Sequence, residues 1–249
     1  MPRFAFRLAY NGRRFQGWQS QPGGQTIQDK VEKAFSVICR EHIRIHASGR
    51  TDAGVHALGQ IIHCDLPENK KNVNWMRALN SLLPEDICMT GKWRVADDFH
   101  ARKWAISKKY SYTFWTEPRF VLPQRRPFVW PAGELNAQEI CMACSYLQGS
   151  LDFASLMNSG TPVSSTVRTV FRTEIKPACA QELTLHISAN GFLKQMVRNI
   201  AGLLYAVGKE KISPGHIPAI LAARDRSKAP ATAPPQGLCL LEVSYPPCN

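Results

Sequence analysis

Between Gly49 and Gly54 one guanidinium and one carboxylate stand two residues apart, in Ala47-Ser48-Gly49-Arg50-Thr51-Asp52-Ala53-Gly54-Val55-His56-Ala57. A carboxylate can attack an electrophilic carbon or take a proton, and a nearby cation favours its ionised form. Asp52 is therefore the candidate reactive group and Arg50 the group that holds it ionised, with His56 adding a further polar side chain. The plainer reading is an aspartate that shapes a turn by bonding nearby amides. Gly49 and Gly54 allow backbone angles and close approaches that side chains would forbid.

A second set of residues suits a polyanion. Tyr110 follows Lys108 and Lys109, an interleaving expected where bases stack and phosphates are neutralised. Arg13 and Arg14 open a loop that continues Phe15-Gln16-Gly17-Trp18-Gln19, and Lys194 and Arg198 stand one helical turn apart. Other candidates fall away. Cys141-Met142-Ala143-Cys144 has no second pair at metal-ligand spacing and sits in an amphipathic helical pattern, where i and i+3 share a face. His42 and His46 lack the H-E-x-x-H arrangement. Neither a phosphate-binding P-loop nor a dinucleotide fingerprint occurs, so no nucleotide cofactor is implied.

These residues need a frame. Phe4, Phe6, Leu8 and Tyr10 alternate with Ala5, Arg7 and Ala9, the period of a half-buried strand, and Asn11-Gly12 supplies a turn. Thr26 caps a helix with Asp29 in its first turn, and Ile27, Val31, Phe35 and Ile38 recur at helical spacing. Ile43-Arg44-Ile45 and Gly59–Cys64 read as the strands that flank the Asp52 loop. A helix around Trp75, Leu79 and Leu82 stops at Pro84, a strand runs from Ile87 to Val95, and Phe99–Arg102 is a connector.

Beyond it, a strand from Lys108 to Phe114 places Tyr110, Tyr112 and Phe114 on one face. A proline-rich basic link spans 118–131, and a helix spans 135–147. Strands at 166–175 and 183–188 pair. The longest helix is expected over 191–208, with Phe192, Met196, Ile200, Leu203 and Val207 as its apolar stripe and Lys194 and Arg198 sharing another face. A short helix near 217–221, a Pro/Ala-rich loop and a strand at 238–243 close the chain. The order β-α-β-β-α-β in the first half, with a similar order in the second, is the ferredoxin-like pattern. It predicts an α+β protein of two abutting half-domains, 1–103 and 104–249, with mainly antiparallel sheets around a basic cleft.

The totals agree with such a frame. The chain has 249 residues, 44% of them hydrophobic, and 31 basic against 19 acidic residues give a net charge of +12. That balance points to a polyanionic partner, with nucleic acid first. No segment is long or apolar enough for a membrane span, and the arginines in Met1–Arg7 do not fit a signal peptide. Eight scattered cysteines suggest reduced thiols in a cytoplasmic protein.

Gly49-Arg50-Thr51-Asp52-Ala53-Gly54-Val55-His56-Ala57 resembles the signature of the tRNA pseudouridine synthase A family, with its catalytic aspartate at Asp52. The resemblance runs in order through Phe15–Gln19, Phe99 with Ala101-Arg102, Lys108 with Tyr110 and Tyr112, Phe192-Leu193, Met196–Asn199, Thr232–Pro234 and Gly237-Leu238, and so covers essentially the whole chain. Two departures are Leu151, where that family usually has His before Asp-Phe, and Pro230, where it commonly has Gly after Ala229. Neither touches the Asp52 loop.

The resemblance implies the pseudouridine synthase fold. It also implies isomerisation of uridine in the tRNA anticodon arm (positions 38 to 40 in tRNA numbering), a homodimer, and no cofactor or metal. The reaction breaks the bond from C1′ to N1, turns the uracil, joins C1′ to C5 and releases the C5 proton, with no net redox change. Attack at C1′, attack at C6 and removal of the C2′ proton are all open to the carboxylate.

By the same resemblance, Tyr110 stacks on the extruded base, Leu193 and Val197 shape an apolar wall, and Arg198 pairs with Asp52 or a phosphate. Arg13, Arg14, Lys108, Lys109, Lys194 and Arg198 are the candidate phosphate contacts. A non-catalytic RNA-binding protein is the alternative from another class. A glycosidase is a weaker one, since no second carboxylate stands out as its acid.

Overall fold

Alternation in the first strand, β1 (Arg3–Tyr10), buries Phe6, Leu8 and Tyr10 and leaves Arg7 exposed. The computed structural model describes residues 1–70, 72–158, 160 and 163–247. After β1 the chain forms α1 (Ile27–Cys39), whose capping box joins the Thr26 hydroxyl to the Asp29 amide and the Asp29 carboxylate to the Thr26 amide. A short β2 (His46–Ala47), β3 (His56–Asp65), α2 (Trp75–Leu82) and β4 (Ile87–Arg94) follow. β1 lies between β3 and β4, antiparallel to both, and β2 pairs antiparallel with β3. That is the expected ferredoxin-like arrangement. Phe6 of β1, Phe35 of α1 and Trp75 of α2 meet edge-on or tilted, with ring centroids 5.2 to 6.4 Å apart, and form the core between sheet and helices.

The run Ile43-Arg44-Ile45 is not a strand. Ile43 and Ile45 are buried, but the Ile45 amide donates to the Glu32 carboxylate of α1 (3.1 Å), so pairing with β3 begins only at His46.

The second compact unit starts with β5 (Ser107–Trp115) and continues through β6 (Trp130–Pro131), α3 (Ala137–Ser145), β7 (Gly149–Asp152), β8 (Val167–Cys179), β9 (Glu182–Ala189), α4 (Met196–Gly208) and α5 (Ile217–Ala222). Its sheet runs β5-β9-β8-β7, antiparallel throughout, with β6 added in parallel beside β5. β7 is an edge strand the sequence pattern did not register. The stretch 118–131 is more than a link, because Val129 is buried and Trp130 packs on Tyr205 of α4 at 4.3 Å and on Phe114 at 5.8 Å. The final strand, β10 (Leu238–Ser244), carries the chain back to the first unit, which comprises Met1–Ile106 and Leu240–Asn249; Ser107–Cys239 form the second. The division thus falls three residues later than expected, and the last segment changes sides.

The helix expected over 191–208 begins at Met196 instead. Gln195 has φ 59°, in the left-handed region, and the Lys194 carbonyl that would accept the Arg198 amide receives the Asn158 amide (3.1 Å). Phe192, Leu193 and Lys194 are therefore loop residues. Lys194 and Arg198 do not share a helix face, and Phe192 leaves the apolar stripe.

Candidate active site

The Asp52 loop is anchored on both sides by hydrogen bonds from other elements of the first unit. Ser48 extends the pairing with β3 through its amide on the Ile61 carbonyl (2.8 Å), and its hydroxyl donates to Gln60 Oε1 (2.6 Å). Gln60 Nε2 in turn donates to the Gly49 carbonyl (2.9 Å). On the other side of Arg50, the Thr51 hydroxyl shares a hydrogen bond with the Tyr10 hydroxyl (2.8 Å), and the Thr51 carbonyl accepts the Trp18 amide (3.0 Å). The Val55 amide closes a turn onto the Asp52 carbonyl (3.2 Å), with Gly54 at φ 80° where such a turn demands a positive angle. His56 is buried, and its Nδ1 accepts the Gly12 amide (3.1 Å).

Two glycines let the basic loop press against this turn. A Cβ on Gly12 would lie 1.9 Å from the Val55 carbonyl oxygen, and one on Gly17, at φ 88°, would lie 2.8 Å from the Thr51 carbonyl oxygen. The backbone on either side of Asp52 is thus anchored at Ser48, Gly49 and Thr51 by partners distant in sequence, while Asp52 itself closes a local turn with Val55. The carboxylate is half-buried at the surface of this structure, and Arg50 is exposed. A group held this way needs little reorganisation when it reacts.

Arg13 and Arg14 occupy a 3-10 turn, Gly12–Arg14, that follows β1, and both are exposed. Arg14 is not an isolated cation: it lies 3.4 Å from Glu85 and 3.6 Å from Asp86. The pair with Glu85 is exposed and contributes little to stability.

In the second unit, Tyr110 is buried on β5, opposite Ile187 of β9, with its ring edge-on to Phe192 at 5.1 Å. Strand alternation puts Lys108 on the Tyr110 face and Lys109 on the other, in line with Ser111. The two lysines therefore do not flank the ring together. Lys109 instead helps to hold the pKa of His186 down, second to burial of the imidazole.

Leu193 and Val197 are buried, Lys194 is exposed, and Arg198 is half-buried near the start of α4. Arg198 Nε donates to the Ala233 carbonyl (2.8 Å), and the Ala233 amide returns a bond to the Arg198 carbonyl (3.1 Å). Tyr112, one strand pair along from Tyr110, donates to the Pro234 carbonyl (2.7 Å). The loop 231–234 is thus fastened to both α4 and β5. The Thr232 hydroxyl adds to this fastening by donating to Asn199 Oδ1 (2.6 Å); both residues stand in the stretches that carried the resemblance, but no local signal marked them as partners.

Cys141 is exposed and Cys144 buried on α3, and burial pushes the Cys144 thiol up to about 11. Among the described residues no group of three or more His, Cys, Asp and Glu side chains is placed to hold a metal ion. No helix of the described residues is long and apolar enough to cross a membrane.

A family model described as tRNA pseudouridine synthase matches residues 8–102 and 143–246. A tRNA pseudouridine synthase A of Maridesulfovibrio salexigens is 45% identical over 246 residues, which is 98% of this chain and 91% of that protein. One of Solidesulfovibrio magneticus is 45% identical over 251 residues, covering 98% and 92%. One of Chlamydia trachomatis is 41% identical over 251 residues, again covering 98% and 92%.

Proposed function

The chain belongs to the tRNA pseudouridine synthase family, and on that premise we propose that it isomerises uridine to pseudouridine at positions 38 to 40 of the tRNA anticodon arm, with Asp52 as the catalytic carboxylate. The observation that carries this assignment is the construction of the Asp52 loop. The loop that carries this carboxylate is held on both sides by bonds to Tyr10, Trp18, Gln60 and Gly12, a rigid support suited to a reacting group.

The target uridine must leave its stack to be reached, which costs on the order of a few kcal/mol. Asp52 then attacks C1′ or C6, or removes the C2′ proton. The C1′–N1 bond breaks, the uracil turns, C1′ bonds to C5, and the C5 proton is lost. Electrons balance within the nucleotide. Tyr110, braced by Phe192, stacks on the uracil and assists removal of the C5 proton. Leu193 and Val197 supply an apolar wall, and Arg198 carries positive charge to Asp52 or to a phosphate. Arg50, exposed beside Asp52 in the loop, fills the space that the extruded base leaves. Arg13, Arg14, Lys108, Lys109 and Lys194 contact phosphates and position the arm without reading its sequence. The enzyme works as a homodimer in which one tRNA touches both subunits.

The test is unmodified tRNA carrying tritium at uridine C5. The wild-type protein releases tritium and forms pseudouridine; Asp52→Asn binds the tRNA and releases none. An unchanged rate in Asp52→Asn would sink the mechanism, and tRNA binding without any tritium release by the wild type would favour a pure binding protein.

A further inference from the structure

One cationic side chain of the second unit has no role in the proposed chemistry and yet makes four hydrogen bonds among the described residues. Arg226 opens a 3-10 turn, Arg226–Lys228, whose start is fixed by its neighbour: the Asp225 amide donates to Ser155 Oγ (3.0 Å), and the Asp225 carboxylate accepts the Ser227 amide and hydroxyl (both 2.8 Å). From there its guanidinium donates in three directions. Nε reaches Asn158 Oδ1 (3.1 Å), Nη1 the Ala229 carbonyl (3.0 Å), and Nη2 both Asn199 Oδ1 (3.2 Å) and Thr232 Oγ1 (3.0 Å).

Asn199, fully buried on α4, is saturated by this arrangement. Its Nδ2 donates to the Leu156 carbonyl (2.8 Å) and Asn158 Oδ1 (2.9 Å), while its Oδ1 accepts Arg226 and the Thr232 hydroxyl (2.6 Å). A carboxamide has two N–H groups and two lone pairs, and all four are used. The backbone amide of Asn158, in turn, donates to the Lys194 carbonyl (3.1 Å), and its side-chain Nδ2 donates to Gln195 Oε1 at the start of α4.

The network therefore joins 156–158, the start of α4 and 226–232. Immediately beyond it come Arg198, beside Asn199 in the chain, and Ala233, beside Thr232. Arg198 Nε donates to the Ala233 carbonyl and the Ala233 amide donates to the Arg198 carbonyl, so the Arg198 guanidinium and backbone are both tied to this loop. Gly202 admits the Ala231 carbonyl where a Cβ would lie 2.1 Å from its oxygen, so the loop sits directly on α4.

We propose that Arg226 is a positioning residue, acting through Asn199 and Thr232 to hold the Ala233 carbonyl and thereby aim Arg198 at the tRNA. Lysine cannot replace it, because one ammonium does not span acceptors on three segments. The inference rests on the reading of Arg198 as a substrate-binding residue.

The test is a double-mutant cycle of kcat/KM on unmodified tRNA with Arg198→Lys, Arg226→Lys and the pair, each with its melting temperature. A further arm adds millimolar guanidinium to Arg226→Ala, with sodium chloride at equal ionic strength as control. Arg226→Lys lowers kcat/KM by about tenfold to a hundredfold, and the pair is no worse than Arg198→Lys alone. Guanidinium restores activity to Arg226→Ala and not to Arg198→Lys. Thr232→Val, which removes only a hydroxyl, repeats the cycle if the arginine variants fold poorly. Losses that add, or that follow melting temperature alone, overturn the inference. A loss at Arg198 with none at Arg226 also overturns it and leaves the functional reading standing. No loss at Arg198 overturns the premise, and the inference with it.

Discussion

Acidification from pH 7 to pH 5 should cost the first unit a measurable part of its stability through one histidine. His63, on β3, is 3% exposed, stacks on His46 at 5.0 Å and lies 4.7 Å from His100, and its Nδ1 accepts the Ala101 amide (3.2 Å). Burial first, then the charges of His100, His46 and Arg3, hold its pKa down to about 4 from 6.5, against a smaller opposing effect of Asp65. Asp65 is engaged by Arg3 through two bonds of 2.8 and 2.9 Å, which limits what it can offer the imidazole.

A histidine whose folded pKa is depressed contributes stability that is fully present above the unfolded pKa and is lost as pH falls toward the folded one. The window here is therefore pH 6.5 down to about 4. Integrating the proton linkage, the loss between pH 7 and pH 5 is roughly 2 kcal/mol, and about 3 kcal/mol once His63 is fully protonated. Against a total of about 5–15 kcal/mol for a folded domain, that is a visible fraction. Urea unfolding followed by tryptophan fluorescence at pH 7, 6 and 5 measures it, beside His63→Gln, which cannot titrate. The wild type should lose about 2 kcal/mol more than the variant across this range. Equal losses in the two proteins would refute the assignment to His63.

Gly17→Ala should cut activity sharply with only a modest change in melting temperature. Its Cβ at φ 88° drives into the Thr51 carbonyl and displaces the Asp52 turn, a strain of about 1–3 kcal/mol; wild-type turnover in the tritium assay would show the reasoning wrong. Gly59→Ala should act on stability instead. A Cβ there lies 2.2 Å from the Leu241 carbonyl and pushes β10 off β3, so calorimetry should register a lower melting temperature. If the phosphate contacts are as proposed, log affinity for tRNA falls steeply with log salt, by about 0.9 per neutralised phosphate on a duplex. Filter binding across a salt series checks this, and a flat slope would remove the electrostatic part of the functional reading.

Much of the first unit was legible from residues close in sequence. The alternation in β1, the Thr26–Asp29 cap and the turn glycine at Gly54, with φ 80°, each report a conformation that a few neighbouring residues decide. The same holds for Tyr110 and Tyr112, whose shared face follows from the pleat alone. The start of α4 shows where this fails. Its apolar period runs unbroken back through Phe192, yet Asn158, thirty-odd residues earlier, takes the Lys194 carbonyl and the helix cannot begin before Met196. The strand read at 43–45 fails for the same reason, since Glu32 claims the Ile45 amide.

The sequence by itself determined that this chain has an α+β frame, a strongly basic balance and an aspartate in a glycine-bracketed loop that marks its family. Tertiary structure alone decided that Gly12 and Gly17 carry the basic loop against that turn and that Arg14 faces Glu85 and Asp86. It also decided that Lys109 turns from Tyr110 toward His186, and that Arg198 is gripped by a loop which Arg226 secures. Periodicity and capping act over a turn of helix or a pair of strand residues, so they leave a local trace. A backbone carbonyl shared between segments that are distant in the chain leaves none, and such carbonyls anchor the Asp52 loop at Gly49 and Thr51 and hold Arg198 at Ala233.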